Sequence, residues 1–502
     1  MTVWKDIQVV KNGEAKEMEA LLSPLLRLKI RALRLRNNLS SRFSSFPISE
    51  QEKTVLGALT LGDKNGLTKQ TRRLYAETGT SHILALSGLH LGILVTLFML
   101  LCRPLRRKTW GRALTACGGI VFIWTFAMLT GLSTSLLRSA VMYTVFLIFH
   151  ACQRNGYAIN HLAVAALILL IANPMSLFDV GFQLSFLSVF FILFLQPFYA
   201  RLHLRGWRAV GGDFFYVSIT AQMATAPAVA YYFHIIPTYF LLANMVVIPC
   251  AYLLLGGTAV CFALWPVVVV RNILATVLSV TVKSMDTALA WIAALPHATL
   301  TPYPSLTTVL LCYVLVGCCI MTFSTYSKRW FYIFLSALLV CIGSICYEHR
   351  PKRINSQIIF FNSRPDPQIL IVSTADQSYL IGDSIGPNVE QFVNAHHMNK
   401  PNLVRTNETG VVSFAGKRLL IPNGKAWKDK FSSHPLSADF LYIGDSTGIG
   451  QEWTNVFRPK IIIVGSKSYG RWLRRTVKNE VVAKDSVYIL AEKGALMIPV
   501  QQ

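Results

Sequence analysis

Residues 80–94 read Thr-Ser-His-Ile-Leu-Ala-Leu-Ser-Gly-Leu-His-Leu-Gly-Ile-Leu and open the first long apolar run of the chain. Hydrocarbon solvates three side chains of this stretch poorly, so that inside a membrane they need a protein or water partner: His82, Ser87 and His90. In a continuous helix Ser87 and His90 share one face, because they stand three residues apart. Gly88 and Gly92 form a Gly-x-x-x-Gly notch where a second helix can approach closely. The stretch therefore predicts one helix that combines close packing with a polar lining.

A plainer interpretation of the same residues stays open. The glycines can serve packing alone, and each histidine can bond a neighbouring carbonyl as a structural group. His82 and His90 are eight residues apart, which matches no helical spacing of metal ligands. We therefore predict no metal site and no cofactor here.

The composition is typical of a multi-pass membrane protein. Of the 502 residues, 53% are hydrophobic and 14% are charged, and the mean hydropathy is positive. Between Glu77 and Glu348 the acidic residues are Asp179, Asp213 and Asp286. A soluble domain of that length would carry many more.

The formal net charge is +24, which predicts that accessible faces attract polyanions such as nucleic acid or anionic lipid. The alternative is that the basic residues only set the orientation in the membrane. All ten cysteines lie between Cys102 and Cys346 without a Cys-x-x-Cys pair, which favours apolar packing over disulfides or a metal site. The N-terminus lacks the apolar region of a cleavable signal, so we expect insertion to depend on internal spans.

Residues 1–81 are predicted to form amphipathic helices on the membrane surface. Between residues 14 and 45, leucine and isoleucine recur at helical spacing at Leu22, Leu26, Ile30 and Leu33, while arginines fall on another face. A solvated helix docked on the membrane domain is the alternative.

Residues 82–350 are predicted to form a transmembrane domain of about ten helices. The apolar runs lie near 82–102, 114–130, 136–152, 159–172, 180–198, 214–233, 239–270, 272–295, 306–323 and 330–347. Several are short for a crossing, which needs roughly 17–25 residues. The run 239–270 contains Pro249, Gly256-Gly257 and Pro266, so it is either one broken span or two short ones.

Basic residues follow the odd-numbered spans. They are Arg103, Arg106, Arg107, Lys108 and Arg112 after the first, Arg154 after the third, and Arg201, Arg205 and Arg208 after the fifth. By the positive-inside rule these loops are cytoplasmic. This predicts insertion in the cell (inner) membrane with the N-terminal arm outside, and with ten spans the C-terminal domain is outside as well.

Residues 351–502 are predicted to form a soluble α/β domain. Short β-rich runs separated by Asn, Gly, Asp and Pro lie at 356–361, 369–373, 379–381, 411–414, 419–421, 440–443, 461–464 and 487–490. About 150 residues suffice for one complete domain.

Two charges at the outer ends of predicted spans should pair. Arg138 begins the third span and Asp179 the fifth, so the topology places them at the same depth, where a salt bridge offsets the cost of burial. Gln183 shares the face of Asp179, and Ser185 continues the same span. Structural support is the favoured role of the pair, with direct substrate contact as the alternative.

Amides and prolines interrupt later spans, with Gln222, Thr225 and Pro227 in the sixth and Asn244 and Pro249 in the seventh. Such residues suit discontinuous helices that line a wet cavity, although hydrogen bonds between helices explain each amide singly. Lys283 and Asp286 are expected to neutralise one another. A path so poor in acids suits a polyanion better than a cation, which needs rings of carboxylates.

Several motifs resemble those of ComEC-type competence proteins. The sequence Ser-His-Ile-Leu-Ala-Leu-Ser-Gly-Leu-His-Leu-Gly at 81–92 is similar to the family signature His-Leu-Leu-Ala-Ile-Ser-Gly-Leu-His-Val-Gly. Further similar motifs are Ser-Leu-Leu-Arg-Ser at 135–139, Asn-Pro at 173–174, Asp-Val-Gly-Phe-Gln-Leu-Ser-Phe at 179–186, the residues from Gln222 to Pro227, and Asn244 with Pro249. The resemblance covers roughly residues 50–260.

Two features depart from the family pattern. Nothing here corresponds to the N-terminal membrane helices and OB-like DNA-binding domain that members often carry. Residues 351–502 resemble a shortened metallo-β-lactamase-like domain, but the His-x-His-x-Asp-His ligand run is absent. His396-His397 and His434 do not recreate it, and Asp383 and Asp445 only follow predicted strands. We therefore predict a non-catalytic domain and no enzyme.

The resemblance implies a membrane channel for single-stranded DNA in natural transformation, together with an external DNA receptor and a cytoplasmic ATP-driven helicase. The chain has no Gly-x-x-x-x-Gly-Lys-Ser/Thr phosphate loop to supply the force. On this interpretation the residues that line or support the pore are His82, Ser87, His90, Arg138, Asp179, Gln183, Ser185, Gln222 and Asn244. The alternatives are a secondary transporter of an anionic solute and an intramembrane metal hydrolase that uses His82 and His90.

Overall fold

A computed structural model of the protein divides the chain into two compact units, Met1–Cys341 and Ile342–Gln502. It describes residues 24–43, 46, 48–105, 109–152, 157–348, 350, 355–362, 367–373, 377–396, 398–405, 410–421, 433–434, 436–444, 457–465 and 487–500. Of the residues singled out above, Leu22, Arg106, Arg107, Lys108, Arg154, His397 and Asp445 lie outside these ranges.

The first unit is helical. Its helices are α1 (Pro24–Arg42), α2 (Glu50–Leu61), α3 (Lys69–Glu77), α4 (Ser81–Leu84), α5 (Gly88–Leu101), α6 (Thr109–Leu129), α7 (Thr134–Ala151), α8 (Ala158–Ala172), α9 (Val180–Ala200), α10 (Trp207–Phe233), α11 (Phe240–Ala263), α12 (Val268–Ala293), α13 (Leu306–Thr325) and α14 (Lys328–Glu348). A 3-10 helix at Pro174–Phe178 precedes α9, and two short strands, β1 (Ile236–Pro237) and β2 (Thr299–Leu300), pair in antiparallel register.

Seven helices in the described part of the chain are long and apolar enough to cross a membrane: α6, α7, α9, α11, α12, α13 and α14. Helices α5 and α8 are apolar but have fewer than 18 residues. Helix α10 has 27 residues and carries Arg208 and Asp213 in its first turns. The protein is therefore a membrane protein. Seven of the predicted spans coincide with these helices, and the total of ten crossings stays a prediction.

The ambiguous run 239–270 forms one long helix and a turn. Helix α11 continues through Pro249 and ends at Ala263, and α12 begins at Val268. The two helices pack along each other. Their buried side chains, among them Val247, Leu254 and Leu278, form the largest core of the helical unit.

Helix α2 contributes to this same core. All seven residues at positions 55–61 are buried, and Leu56 and Leu59 pack in the cluster formed by α11 and α12. A helix lying on a membrane surface would keep one face exposed, so for α2 the structure differs from the predicted surface arrangement. The apolar run Val-Leu-Gly-Ala-Leu-Thr-Leu is long enough to bury all sides of the helix.

The second unit contains two five-stranded sheets. One sheet has the order β12 (Leu496–Pro499), β3 (Gln357–Phe360), β4 (Ile369–Val372), β5 (Ser378–Ile381), β6 (Asn402–Val404). The other has the order β11 (Val487–Ile489), β10 (Phe457–Val464), β9 (Leu436–Ile443), β8 (Lys417–Leu420), β7 (Val411–Phe414). Helices α15 (Pro387–Ala395) and α16 (Leu490–Lys493) complete the described elements.

The two sheets pack face to face. Phe360 and Ile371 of the first sheet share a core with Phe440, Tyr442 and Ile463 of the second. Alternate residues on the outer face of the first sheet pack against α15 through Val389 and Val393. The predicted α/β domain is thus a two-sheet sandwich with a helix on one outer face, and its likeness to a metallo-β-lactamase stays a prediction.

Candidate functional site

The signature stretch is a broken helix. Helix α4 ends at Leu84, Ala85 is extended, and α5 begins at Gly88. Ser87 occupies the N-cap of α5, and its backbone N–H donates to Nδ1 of His90 at 3.3 Å. The prediction of one continuous helix was therefore wrong, and Ser87 and His90 meet through a cap rather than across a helix face.

The cap fixes the proton of a neutral His90 on one nitrogen. A backbone N–H can only donate, so Nδ1 is the acceptor and the proton lies on Nε2. The Ser87 hydroxyl lies 3.1 Å from the same Nδ1. His90 is fully buried, and its Nε2 has no hydrogen-bond partner among the described residues.

His82 lies in a different environment. Its side chain is exposed, and its Nδ1 lies 3.1 Å from the carbonyl oxygen of Gly79, to which it donates. The same four-residue helix carries Ile83 and Leu84, which are buried in the main core. Within the described ranges, no group of three His, Cys, Asp or Glu side chains is placed to hold a metal ion.

Gly88 and Gly92 face helix α7 at close range. A Cβ on Gly88 would stand 3.0 Å from the Ser139 hydroxyl oxygen, and a Cβ on Gly92 would overlap the hydroxyl of Tyr143. The two glycines are one helical turn apart, as are Ser139 and Tyr143. The notch thus receives the side chains of α7 without space for a larger residue.

Arg138 and Asp179 form the expected ion pair. Arg138 Nη1 lies 3.2 Å from Asp179 Oδ2, and 10% of the Arg138 side chain and 51% of the Asp179 side chain are exposed. Asp179 also caps α9 through the backbone N–H of Gly181. A Cβ on Gly181 would stand 2.9 Å from the Arg138 guanidinium, so a glycine lets that group lie against the start of α9.

Gln183 extends this polar group toward α10. Its amide Nε2 donates to the Leu177 carbonyl at 3.0 Å, and its Oε1 accepts from the Tyr232 hydroxyl at 2.9 Å. Ser185 is half-buried two residues further along, and its carbonyl accepts from the Ser188 hydroxyl. The amide therefore links α9 to the end of α10.

The prolines and amides of the predicted sixth and seventh spans do not break their helices. Helix α10 continues through Pro227 and α11 through Pro249, so the predicted discontinuous spans are not observed. The Tyr313 hydroxyl of α13 donates to the carbonyl of Ala224 at 3.0 Å, in the turn where Pro227 disturbs the helical bonds. Gln222 is half-buried.

Asn244 is also half-buried. Its Oδ1 is enclosed without a hydrogen-bond partner among the described residues. A buried amide oxygen of this kind costs free energy unless it finds a donor.

Sequence reasoning missed two contacts between the N-terminal helices and α12. The Tyr75 hydroxyl donates to Asp286 Oδ1 at 2.8 Å, and the Ser279 hydroxyl donates to Glu52 Oε2 at 3.1 Å. Asp286 thus has a partner outside its own helix, and no salt bridge with Lys283 is present among the described residues. No sequence signal links residues more than 200 positions apart, although an acid at membrane depth indicates some partner.

In the C-terminal unit the candidate ligands are separate. Asp383 follows β5, His396 ends α15 with its Nδ1 2.9 Å from the Phe392 carbonyl, and His434 precedes β9. Asp439 is an acid of this unit with two described hydrogen-bond donors: it accepts from the Arg418 backbone N–H and from the Lys460 ammonium, both at 3.0 Å. These two donors lower the pKa of Asp439 below its usual value.

The polar groups of the helical unit meet where three helices begin. Gly88 at the start of α5 faces Ser139 near the start of α7, and the neighbouring Arg138 faces Asp179 at the start of α9. Helix N-termini carry partial positive charge and attract anions. At this level of the bundle the Asp179 carboxylate is the anion that pairs with Arg138 and with the N-terminus of α9.

Two family models match the chain. The model of the Competence protein family matches residues 59–325, more than half of the sequence, and the model of the ComEC C-terminal domain matches residues 358–500. The first match contains the signature stretch and both members of the ion pair.

Three relatives match with significant similarity. ComE operon protein 3 of Bacillus subtilis is 29% identical over 222 residues, which are 44% of this chain and 27% of that protein. Recombination protein 2 of Haemophilus influenzae is 30% identical over 26% of this chain and 17% of its own length, and competence protein ComA of Neisseria gonorrhoeae is 28% identical over 26% and 20%. The chain thus spans about a quarter or less of the relatives it matches. No solved structure matches significantly.

Proposed function

The chain belongs to the Competence protein family, and from this membership we propose that it takes up DNA in natural transformation by passing a single strand through its helical unit. The observation that carries the proposal is the family match over residues 59–325. The relatives' names refer to competence and recombination, which are the processes that receive incoming DNA.

The polar level at the starts of α5, α7 and α9 supports a route for phosphates. Arg138 and Asp179 offset each other's charge, and the helix N-termini add partial positive charges. Asp179 is the acid at this level, and its ion pair with Arg138 neutralises it. The strand therefore meets little net repulsion there.

In this proposal all ten helices from α5 to α14 cross the inner membrane. The basic loops after α5, α7 and α9 lie in the cytoplasm, which places the N-terminal arm and the C-terminal unit outside. An external receptor delivers the DNA, and a cytoplasmic ATP-driven helicase supplies the force. The C-terminal unit is a shortened metallo-β-lactamase-like fold that acts as a non-catalytic cover or docking surface.

The proposal is tested in a transformable bacterium whose own channel gene is deleted. The chain should restore entry of labelled DNA into a nuclease-resistant state. Arg138→Ala, at normal membrane level, should abolish entry and leave surface binding intact. The matched control is Arg205→Ala, which removes a cation from the turn between α9 and α10 and should keep entry near the wild-type level.

Two outcomes would overturn the proposal. One is the absence of DNA entry with the wild-type chain correctly inserted. The other is normal entry with Arg138→Ala. Uptake of a small anion by proteoliposomes of the wild-type protein, without DNA, would instead identify a secondary transporter.

A further inference from the structure

The N-terminal segment follows the helical unit through its depth. Leu33 and Arg36 lie against Gly131 in the turn between α6 and α7, where a built Cβ would stand 3.3 Å from Leu33 and 3.6 Å from Arg36. Further along, the Phe43 and Phe46 rings lie 5.4 Å from Phe262 and 6.0 Å from Trp265, at the turn between α11 and α12.

The chain then returns along α12. Glu52 bonds Ser279 near the middle of that helix, and Tyr75 bonds Asp286, seven residues closer to its end. Gly79 finally packs on Pro237 in the turn between α10 and α11. The contacts thus progress from one end of the α11–α12 pair to the other.

The connectivity decides which turns share a face of the membrane. Five described helices, α7 to α11, separate the turn at Gly131 from the turn at Trp265, so with every helix crossing these turns lie on opposite faces. Four helices separate Gly131 from the turn at Pro237, so those two lie on the same face. Residues 36–79 therefore enter from one face, reach toward the other at Phe46, and return.

The composition of this segment requires water beside it. Ten of the 38 side chains from Arg42 to Gly79 are charged, and charges are costly in hydrocarbon. Glu50, two residues before the mid-helix contact of Glu52, pairs with the Lys53 ammonium at 2.8 Å and keeps 90% of its side chain exposed. Re-entrant chain at membrane depth is tolerated where it is buried in protein or lines a water-filled cavity.

A compact basic and aromatic group lies at the deep end. The guanidinium carbons of Arg42 and Arg271 stand 5.0 Å and 5.2 Å from the centroid of the Trp265 ring, and Phe46 stacks on the same ring at an interplanar angle of 26°. Guanidinium groups bind phosphate through paired N–H donors, and an aromatic ring beneath them holds them in place. Single-stranded nucleic acid offers a phosphate in each nucleotide.

We propose that the described residues between Arg36 and Gly79 form a re-entrant segment that lines a water-filled passage, and that Arg42 and Arg271, held over the Trp265 ring, contact the phosphates of single-stranded DNA at its deep end. This inference rests on the proposed function and its ten crossings. The strand passes along the exposed side of the segment, and the two guanidiniums bind its phosphates while Trp265 positions them through its ring.

Thiol labelling tests the passage without DNA. In the full chain, Glu50→Cys is compared with Val280→Cys, which lies next to Ser279 on α12, is 61% exposed and has apolar surroundings. A membrane-impermeant charged maleimide is added to intact cells, and labelling is quantified at each cysteine by mass spectrometry. We expect about tenfold or greater labelling at position 50, because hydrocarbon disfavours the reactive thiolate. If both positions are equally protected from labelling, the proposed passage is refuted.

DNA entry tests the contact site. Arg42→Ala with Arg271→Ala, and separately Trp265→Ala, should each lower entry by about tenfold or more, whereas Trp265→Phe should retain most of it. The control is again Arg205→Ala. A strand that carries photoactivatable groups on its phosphates should crosslink to Arg42 or Arg271 in the wild-type chain.

The possible failures are distinct. If the wild-type chain moves DNA but the arginine and Trp265 variants do so equally well, the contact site is refuted while the proposed function stands. If the arginine variants lose only bound anionic lipid, the group is a membrane anchor and the inference is refuted. If the wild-type chain moves no DNA although position 50 is labelled, the proposed function and the contact site fail and the passage remains.

Discussion

Replacing Gly92 by alanine should force apart helices α5 and α7 of the candidate site, and the expected loss of stability comes from a clash with one atom. The new Cβ would overlap the Tyr143 hydroxyl. Overfilling a packed site costs about 1–3 kcal/mol, and alanine recovers about 1 kcal/mol over glycine in a helix. We therefore expect Gly92→Ala to lower the free energy of unfolding by about 0–2 kcal/mol.

Removing the hydroxyl should reverse the effect. In Tyr143→Phe the space opposite Gly92 opens, so the alanine should become neutral or stabilising. The double variant Gly92→Ala/Tyr143→Phe should thus show a favourable coupling of about 1–3 kcal/mol relative to the two single variants. Ser139, opposite Gly88, is shorter and can rotate, so Gly88→Ala should cost less.

The assay is reversible unfolding of the purified full chain in mixed micelles, with helix content followed by circular dichroism. Gly256→Ala in α11 is the matched control, because a Cβ there meets nothing within 4 Å, and it should stabilise by up to about 1 kcal/mol. If Gly92→Ala is as stable as Gly256→Ala, or if Tyr143→Phe leaves its effect unchanged, the packing argument is refuted.

Three further outcomes follow from contacts of the described residues. In a double-mutant cycle of Arg138→Ala and Asp179→Ala, the coupling energy should be about 1–2 kcal/mol, between the values of exposed and buried pairs. The reason is that 10% of the Arg138 side chain and 51% of the Asp179 side chain are exposed. A coupling energy of zero would mean that the pair does not hold α7 to α9. Tyr75→Phe should lower the free energy of unfolding by about 1.5–3 kcal/mol, since it removes the donor to Asp286, and unchanged stability would contradict that bond. Because the pKa of Asp439 is lowered in the folded state, its carboxylate stabilises the fold above the unfolded pKa of about 3.9. This contribution is lost as the pH falls through the lower folded pKa. Pepsin cleavage of the C-terminal unit in the full chain should therefore rise at acid pH, and Asp439→Asn should flatten the rise.

Apolar runs and turn residues were sufficient to predict the helices of the membrane unit. The runs near 306–323 and 330–347 correspond to α13 and α14 within three residues at every end. Seven of the predicted runs coincide with helices that are long and apolar enough to cross a membrane, because hydrocarbon admits only segments that satisfy their own backbone. The total of ten crossings stays a prediction. The break before α5 was missed, since Ala85 and Leu86 are as apolar as the helix around them. Ser87, a preferred N-cap residue, was the available signal.

Partners of polar side chains were predictable only where topology set their depth. Arg138 and Asp179 begin alternate spans, so an ion pair followed from the need to compensate charge in a membrane. For Asp286 the nearby Lys283 appeared to suffice, and the actual donor, Tyr75, lies in the region assigned to the membrane surface. The burial of α2 was not predicted either, because charged residues in its first turn made the helix resemble a surface helix although an apolar run follows them.

In the C-terminal unit, β-rich runs of three to six residues located most strands. The sequence did not indicate β6 and β12, which are short edge strands of one sheet. Edge strands gain their pairing from a neighbour and need little intrinsic β propensity. The polar groups at the starts of α5, α7 and α9 likewise come together only in the folded bundle. No local sequence pattern predicts which helix ends meet.

The shortness of α5 has an electrical consequence. Its 14 residues extend about 21 Å, against a hydrocarbon thickness of about 30 Å. If water reaches the N-cap at Ser87, the layer that excludes ions beside this helix is about two thirds as thick as the surrounding bilayer. The whole membrane voltage then falls across that shorter distance, so a phosphate held there feels a field about half as strong again as one in an unthinned bilayer.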